Sequence, residues 1–97
     1  MDMGLNNKTA LVTGSTKGIG KAIAIELAKE GVNVLINGRN YKEVERTVKE
    51  LKSDFPATSP QNATADIVDI QQREALLEKY PNIDILVNNM EDRKSVV

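Results

Sequence analysis

Ala10-Leu11-Val12-Thr13-Gly14-Ser15-Thr16-Lys17-Gly18-Ile19-Gly20 joins an apolar run to a glycine-rich turn. Short aliphatic runs of this kind are strands buried on both faces of a parallel sheet. Downstream, Ile19, Ile23 and Leu27 recur every four residues with Ala22, Ala24 and Ala28 beside them. That spacing predicts an amphipathic helix with small residues for close packing, and Gly31 is its expected C-terminal stop. In the turn itself, glycine serves where φ is positive or where a side chain would block a ligand. The helix beyond directs unpaired N–H groups and the positive end of its dipole at an anion, so the segment reads as a phosphate-holding turn. The alternative is a tight strand-to-helix connection with no ligand.

Working outward, four apolar runs predict strands at Thr9–Val12, Val32–Ile36, Asn62–Ala65 and Ile83–Val87, the third resting on position more than composition. Val44, Val48 and Leu51 mark a second helix that exposes Lys42, Glu43, Glu45, Arg46, Lys49 and Glu50. Phe55-Pro56 and Ser59-Pro60 bracket a loop. Asp69 is placed to cap a third helix, with Gln72 three residues on and Ile70, Leu76 and Leu77 as its apolar contacts. The order βαβαβαβ, joined by right-handed crossovers, predicts an α/β open parallel sheet with helices on both faces.

Composition narrows the function classes. Ninety-seven residues make one domain or part of one. A formal charge of −1, with lysines and arginines scattered, gives no footprint for nucleic acid. The absence of cysteine excludes disulfides and thiolate chemistry, and the absence of histidine removes the usual metal ligand and proton shuttle. No metal site is expected. Met1-Asp2-Met3-Gly4-Leu5-Asn6 lacks the basic and long apolar regions of a secretory signal, and no apolar run approaches the roughly 20 residues that span a bilayer. The expected compartment is the cytoplasm, with no membrane partner.

Gly14, Gly18 and Gly20 are spaced G-x-x-x-G-x-G, after a strand and at the opening of a helix. Thr13-Gly14-Ser15-Thr16-Lys17-Gly18-Ile19-Gly20 resembles the T-G-x-x-x-G-I-G signature of the short-chain dehydrogenase/reductases. Asp84-Ile85-Leu86-Val87-Asn88-Asn89 is similar to the family's D-I-L-V-N-N-A-G element at the fourth strand, at the family's separation. The resemblance covers residues 4–90. It implies a partial NAD(P)-binding domain of the Rossmann type, a doubly wound parallel sheet in three α/β/α layers that ends after the fourth strand. It also implies a homo-oligomeric parent enzyme. Position by position, it implies that Gly14, Gly18 and Gly20 line the pyrophosphate turn, with Ser15 and Ile19 among the cofactor contacts. Asp66 and Ile67 would bracket the adenine, and Asn88 would contact the adenosine ribose. Asn89 would stabilise the central sheet. Asp66 alone also fits a turn or cap residue.

Cofactor choice has a physical argument. An NAD-preferring site places a carboxylate at the end of the second strand to bond the ribose hydroxyls. Here that strand ends Ile36-Asn37-Gly38-Arg39-Asn40, with no acid. Arg39 can make a bidentate contact to a 2′-phosphate, and Lys17 can reach the same oxygens. The expectation is NADP(H), with NAD(H) possible; the alternative for Arg39 is a solvated loop residue.

The resemblance breaks at its end. The family continues A-G, then further strands, a catalytic serine and a Y-x-x-x-K motif, where tyrosine exchanges the proton and lysine lowers its pKa. Here Met90 takes the alanine position and Glu91 the glycine. Tyr41 is followed four residues on by Glu45, and Tyr80 by Asp84, so neither fits that motif. Ser95 has no base in reach, and no catalytic residue is assigned. Asp92–Val97 can be encoded by GATCGGAAGAGCGTCGTG, a common sequencing-library adapter, so residues 91–97 are expected to be an artefactual tail beginning at a junction residue. Ending there would also leave the fourth strand with an apolar, unprotected edge. The leading expectation is therefore the NADP(H)-binding N-terminal portion of a short-chain oxidoreductase. The alternatives are a non-catalytic nucleotide-binding module that pairs through its open edge and a non-functional gene fragment.

Overall fold

The computed structural model describes residues 4–89; Met90 and the 91–97 tail lie outside the described residues. Strands and helices alternate as β1 (Thr9–Val12), α1 (Gly18–Lys29), β2 (Asn33–Ile36), α2 (Tyr41–Asp54), β3 (Gln61–Asn62), α3 (Ile70–Lys79) and β4 (Ile85–Val87). The strands form one parallel sheet in the order β3-β2-β1-β4. This is the Rossmann-like arrangement that the alternation predicts, with four strands among the described residues.

Register divides the side chains between two layers. Leu11 lies beside Leu35 on β2 and Leu86 on β4, so the three share one sheet face. Ala10, Val12, Val34 and Ile36 take the other face, where Ala24 and Ala28 of α1 and Val44 and Leu51 of α2 cover them. Alanines on α1 let that helix lie close to the sheet. On the first face Leu76 of α3 closes over Leu11, Leu35, Ala63 and Ala65, with Ile67, Tyr80 and Ile83 at the margin. The cover stops short of β4: Leu35 and Leu11 are 1% and 2% exposed, whereas Leu86 is 65% exposed.

The helix ends follow their sequence signals. α1 stops before Gly31, whose φ is +84°. At α3 the Asp69 carboxylate accepts the Gln71 and Gln72 N–H groups at 2.9 and 3.2 Å, and Gln72 Nε2 reaches back at 3.4 Å. At α2 Asn40 Oδ1 accepts the Glu43 N–H at 3.1 Å. No helix among the described residues is long and apolar enough to cross a membrane.

Three expectations are corrected. Asn62–Ala65 is not a four-residue strand: β3 is Gln61–Asn62. Beyond it the Ala63 and Ala65 N–H groups donate to the Ile36 and Gly38 carbonyls at 2.8 and 3.0 Å, while the Ala63 and Ala65 carbonyls accept from Asn37 Nδ2 at 2.9 and 3.3 Å instead of from a β2 backbone N–H. Ile70 and Leu77 do not pack: they are 61% and 46% exposed, and Leu76 alone in α3 is buried. Ile70 and Leu77 lie on one stripe, seven residues apart, while Leu76 lies about 100° around the helix. The sheet selects the Leu76 stripe, because Tyr80 one turn on also seats there and donates its hydroxyl to the Asn62 carbonyl at 2.8 Å. β4 is also shorter than Ile83–Val87, yet Asp84 extends its pairing through backbone and carboxylate bonds to Thr9, both 2.9 Å.

Leu35→Ala should therefore destabilise the fold by about 2–5 kcal/mol in urea unfolding. Ile70→Ser, on the open stripe, should change it by less than about 0.5 kcal/mol. A large loss at Ile70 would contradict this packing of α3.

Candidate functional site

The parallel sheet brings the carboxyl ends of all four strands to one side. From β1 the chain winds outward through β2 to β3 with α1 and α2 on one face, then returns to β4 with α3 on the other. The crevice between β1 and β4 is thus the switch point at which open α/β sheets bind ligands. The glycine turn forms one side of it and Asn88-Asn89 the other.

Gly14 and Gly18 have φ of +59° and +63°, a region that costs an L-residue with a side chain roughly 1–2 kcal/mol. Gly20 is constrained differently. A Cβ there would run into the Gly14 carbonyl and the Asn89 carboxamide, so only glycine lets α1 begin against the end of β1. Lys17 stands at the N-cap with extended backbone and no side-chain cap. α2 and α3 are closed by Asn40 and Asp69, whereas the N–H groups of Gly18, Ile19 and Gly20 at the start of α1 have no side chain closing them. With Ile19 72% exposed and no acid in the first turn, this end is an open anion-facing dipole.

Beneath the turn lies a buried polar mesh. Asn37, 3% exposed, accepts the Gly14 N–H on Oδ1 at 3.1 Å, while its own N–H donates to Ser15 Oγ at 2.9 Å and its carbonyl accepts the Ser15 N–H at 2.8 Å. Ser15 is fully buried and turned toward Asn37. Across the crevice, Thr13 Oγ1 accepts the Asn89 N–H at 2.7 Å and lies 3.3 Å from Asn88 Oδ1, and Asn89 Nδ2 donates to the Gly14 carbonyl at 3.4 Å. Sequence reading missed Asn37 and Thr13 as organisers of the site. Asn37 did carry a signal, a carboxamide directly after the buried run Val34-Leu35-Ile36.

The two cations flank this mesh. A Cβ at Gly38 would stand 3.0 Å from the Thr16 methyl, so the β1–α1 and β2–α2 turns touch. Lys17 and Arg39 each follow that contact by one residue, both exposed and without an ion-pair partner among the described residues. Asp66 and Ile67 follow the β3 end that Asn37 holds. Asp66 Oδ1 accepts the Val68 N–H at 3.1 Å, the contact of a turn residue, and the Ile67 carbonyl accepts Arg73 Nη1 at 3.2 Å. Gly14, Ser15, Lys17, Gly18, Ile19, Gly20 and Asn88 thus gather around the β1 end, with Arg39 on the adjoining turn and Asp66-Ile67 tied in through Asn37.

Substitution should separate the two kinds of glycine. Gly20→Ala must displace backbone and should cost about 1–3 kcal/mol of stability as well as shifting the turn. Gly18→Ala meets open space and should cost only the positive-φ penalty, about 1 kcal/mol. Thermal unfolding of both variants checks this ranking, and a neutral Gly20→Ala would contradict the close seating of α1.

Known proteins share this arrangement. The chain is 48% identical over 90 residues to the uncharacterised oxidoreductase YvaG of Bacillus subtilis, an alignment covering 93% of this chain and 34% of that protein. It is 42% identical over 86 residues to the 3-oxoacyl-[acyl-carrier-protein] reductase FabG of Staphylococcus aureus, covering 84% and 35%. The crystal structure of L-sorbose reductase from Gluconobacter frateurii, complexed with NADPH and L-sorbose, matches with a TM-score of 0.86 at 31% identity, over 100% of this chain and 40% of that one. The chain spans about a third of the length of the curated relatives it matches. A family model described as short chain dehydrogenase matches residues 8–91. With the glycine turn and the Asn88-Asn89 turn facing each other across the β1–β4 crevice, the chain belongs to the short chain dehydrogenase family.

Proposed function

We propose that the chain is the NADP(H)-binding N-terminal portion of a short-chain oxidoreductase whose whole reaction interconverts a carbonyl and an alcohol. One observation carries this reading: the uncapped start of α1 opens on the β1–β4 crevice while two cations with no ion-pair partner among the described residues stand on adjoining turns. The N–H groups of Gly18, Ile19 and Gly20 hold the pyrophosphate, and Gly14 leaves it room to approach. Ser15 serves the same ligand from below, fixing the turn through Asn37. Arg39 and Lys17 take the 2′-phosphate, which no acid at the β2 end repels. Asp66 and Ile67 flank the adenine, and Asn88 meets the adenosine ribose.

The bound nicotinamide supplies hydride chemistry; this chain's residues bind and orient it. Proton exchange with a substrate oxygen needs a tuned acid or base. Neither Tyr41 nor Tyr80 has the lysine four residues on that would serve, so the 97 residues bind cofactor without turning over substrate. The NADPH complex of the similar L-sorbose reductase supports the cofactor class. A second reading, association through the sheet edge, is favoured by β4, which pairs with β1 alone among the described residues and leaves Leu86 exposed.

Calorimetric titration should show NADPH binding at least about tenfold tighter than NADH. Arg39→Asp should weaken NADPH by about ten- to a hundredfold and leave NADH unchanged or improved. Equal affinities would remove the 2′-phosphate assignment, and no binding of either would remove the site. Light scattering decides the edge reading, which predicts a dimer or larger species and fails if the chain is a monomer.

A further inference from the structure

Asn37 is the most heavily used polar residue in the described structure, yet it faces the sheet interior. Its six hydrogen bonds to Gly14, Ser15, Ala63 and Ala65 engage every polar group it has. Gly14 opens the turn after β1, whereas Ala65 directly precedes Asp66 and Ile67. The carboxamide therefore bridges two main-chain segments that share no other side-chain hydrogen bond among the described residues. The main chain there supplies the opposite bonds, from the Ala63 and Ala65 N–H groups to the Ile36 and Gly38 carbonyls, and the Ala63 and Ala65 carbonyls fall to the carboxamide.

We propose that Asn37 is a positioning residue for the cofactor. Its carboxamide locks the glycine turn after β1 to the β3 end that carries Asp66 and Ile67, and so sets the spacing between the pyrophosphate and adenine segments. This inference rests on the cofactor reading above. A carboxamide suits the task because one group offers an acceptor to the Gly14 N–H and two donors to the carbonyls. An apolar side chain of equal size would leave one part-buried donor and two buried acceptors without partners. Binding would then have to re-order both segments before the dinucleotide could span them.

The test uses the full chain with NADP+ as the probe. Asn37→Leu and Asn37→Ala should bind NADP+ about tenfold or more weakly than the wild type, at a temperature where each variant is fully folded. Restricting the comparison to folded protein separates positioning from lost stability. A measurement on the wild type alone covers the case in which neither variant folds. In 15N-labelled protein the Asn37 side-chain NH2 should exchange with D2O at least about tenfold more slowly than that of exposed Asn40. Its signals should also shift when NADP+ is added, although the side chain lies beneath the turn. Folded variants that bind NADP+ as tightly as the wild type would overturn the proposal, as would an Asn37 amide that exchanges like Asn40. Failure of the wild type to bind NADP+ would remove the cofactor reading and the positioning role with it, leaving a protected Asn37 amide as a purely structural tie.

Discussion

Gly20 rests against the Gly14 carbonyl with no room for a side chain, and this contact sets how α1 leaves the sheet. Because the helix starts so close to β1, Ala24 and Ala28 lie flat on Ala10, Val12, Val34 and Ile36. The same closeness carries the N–H groups of Gly18 to Gly20 to the mouth of the crevice beside Asn88. Two further ties keep the turn in place. Thr13 and Asn89 pin it to the β4 end, and Asn37 pins it to the ends of β2 and β3. Buried polar networks of this kind hold a geometry only when every member is satisfied, and among the described residues no buried side-chain nitrogen or oxygen lacks a partner.

Much of this was legible in the chain because the signals were local. The glycine turn, the Gly31 stop and the Asp69–Gln72 cap are each written within a few residues and appear where expected. What was not legible depended on distant partners. β3 could not be read because its ladder is two residues long and its continuation is held partly by a side chain, Asn37, more than 20 residues earlier. The α3 face was misread because a helical period permits either stripe, Ile70 with Leu77 or Leu76 with Tyr80, and only the sheet chooses between them. Ser15 was read by its position in the motif, while the fold spends its hydroxyl on the Asn37 N–H.

The placement of apolar surface follows from the same topology. Leu35, Leu11 and Leu86 form one row across the sheet, and α3 covers the first two. β4, paired on one side among the described residues, leaves the third open. Most candidate cofactor segments lie away from that edge, around β1 and toward β2 and β3, and only Asn88 follows β4 itself. Cofactor binding and the free edge are thus separable properties of one short chain, and they call for separate tests.

The most direct test of the central claim follows backbone amide signals during a titration with NADPH. The Gly18, Ile19 and Gly20 amides should shift most, because the uncapped start of α1 faces the pyrophosphate. Shifts absent from that turn, or confined to the outer groove of α1 around Leu5, Ile23 and Leu27, would contradict that claim.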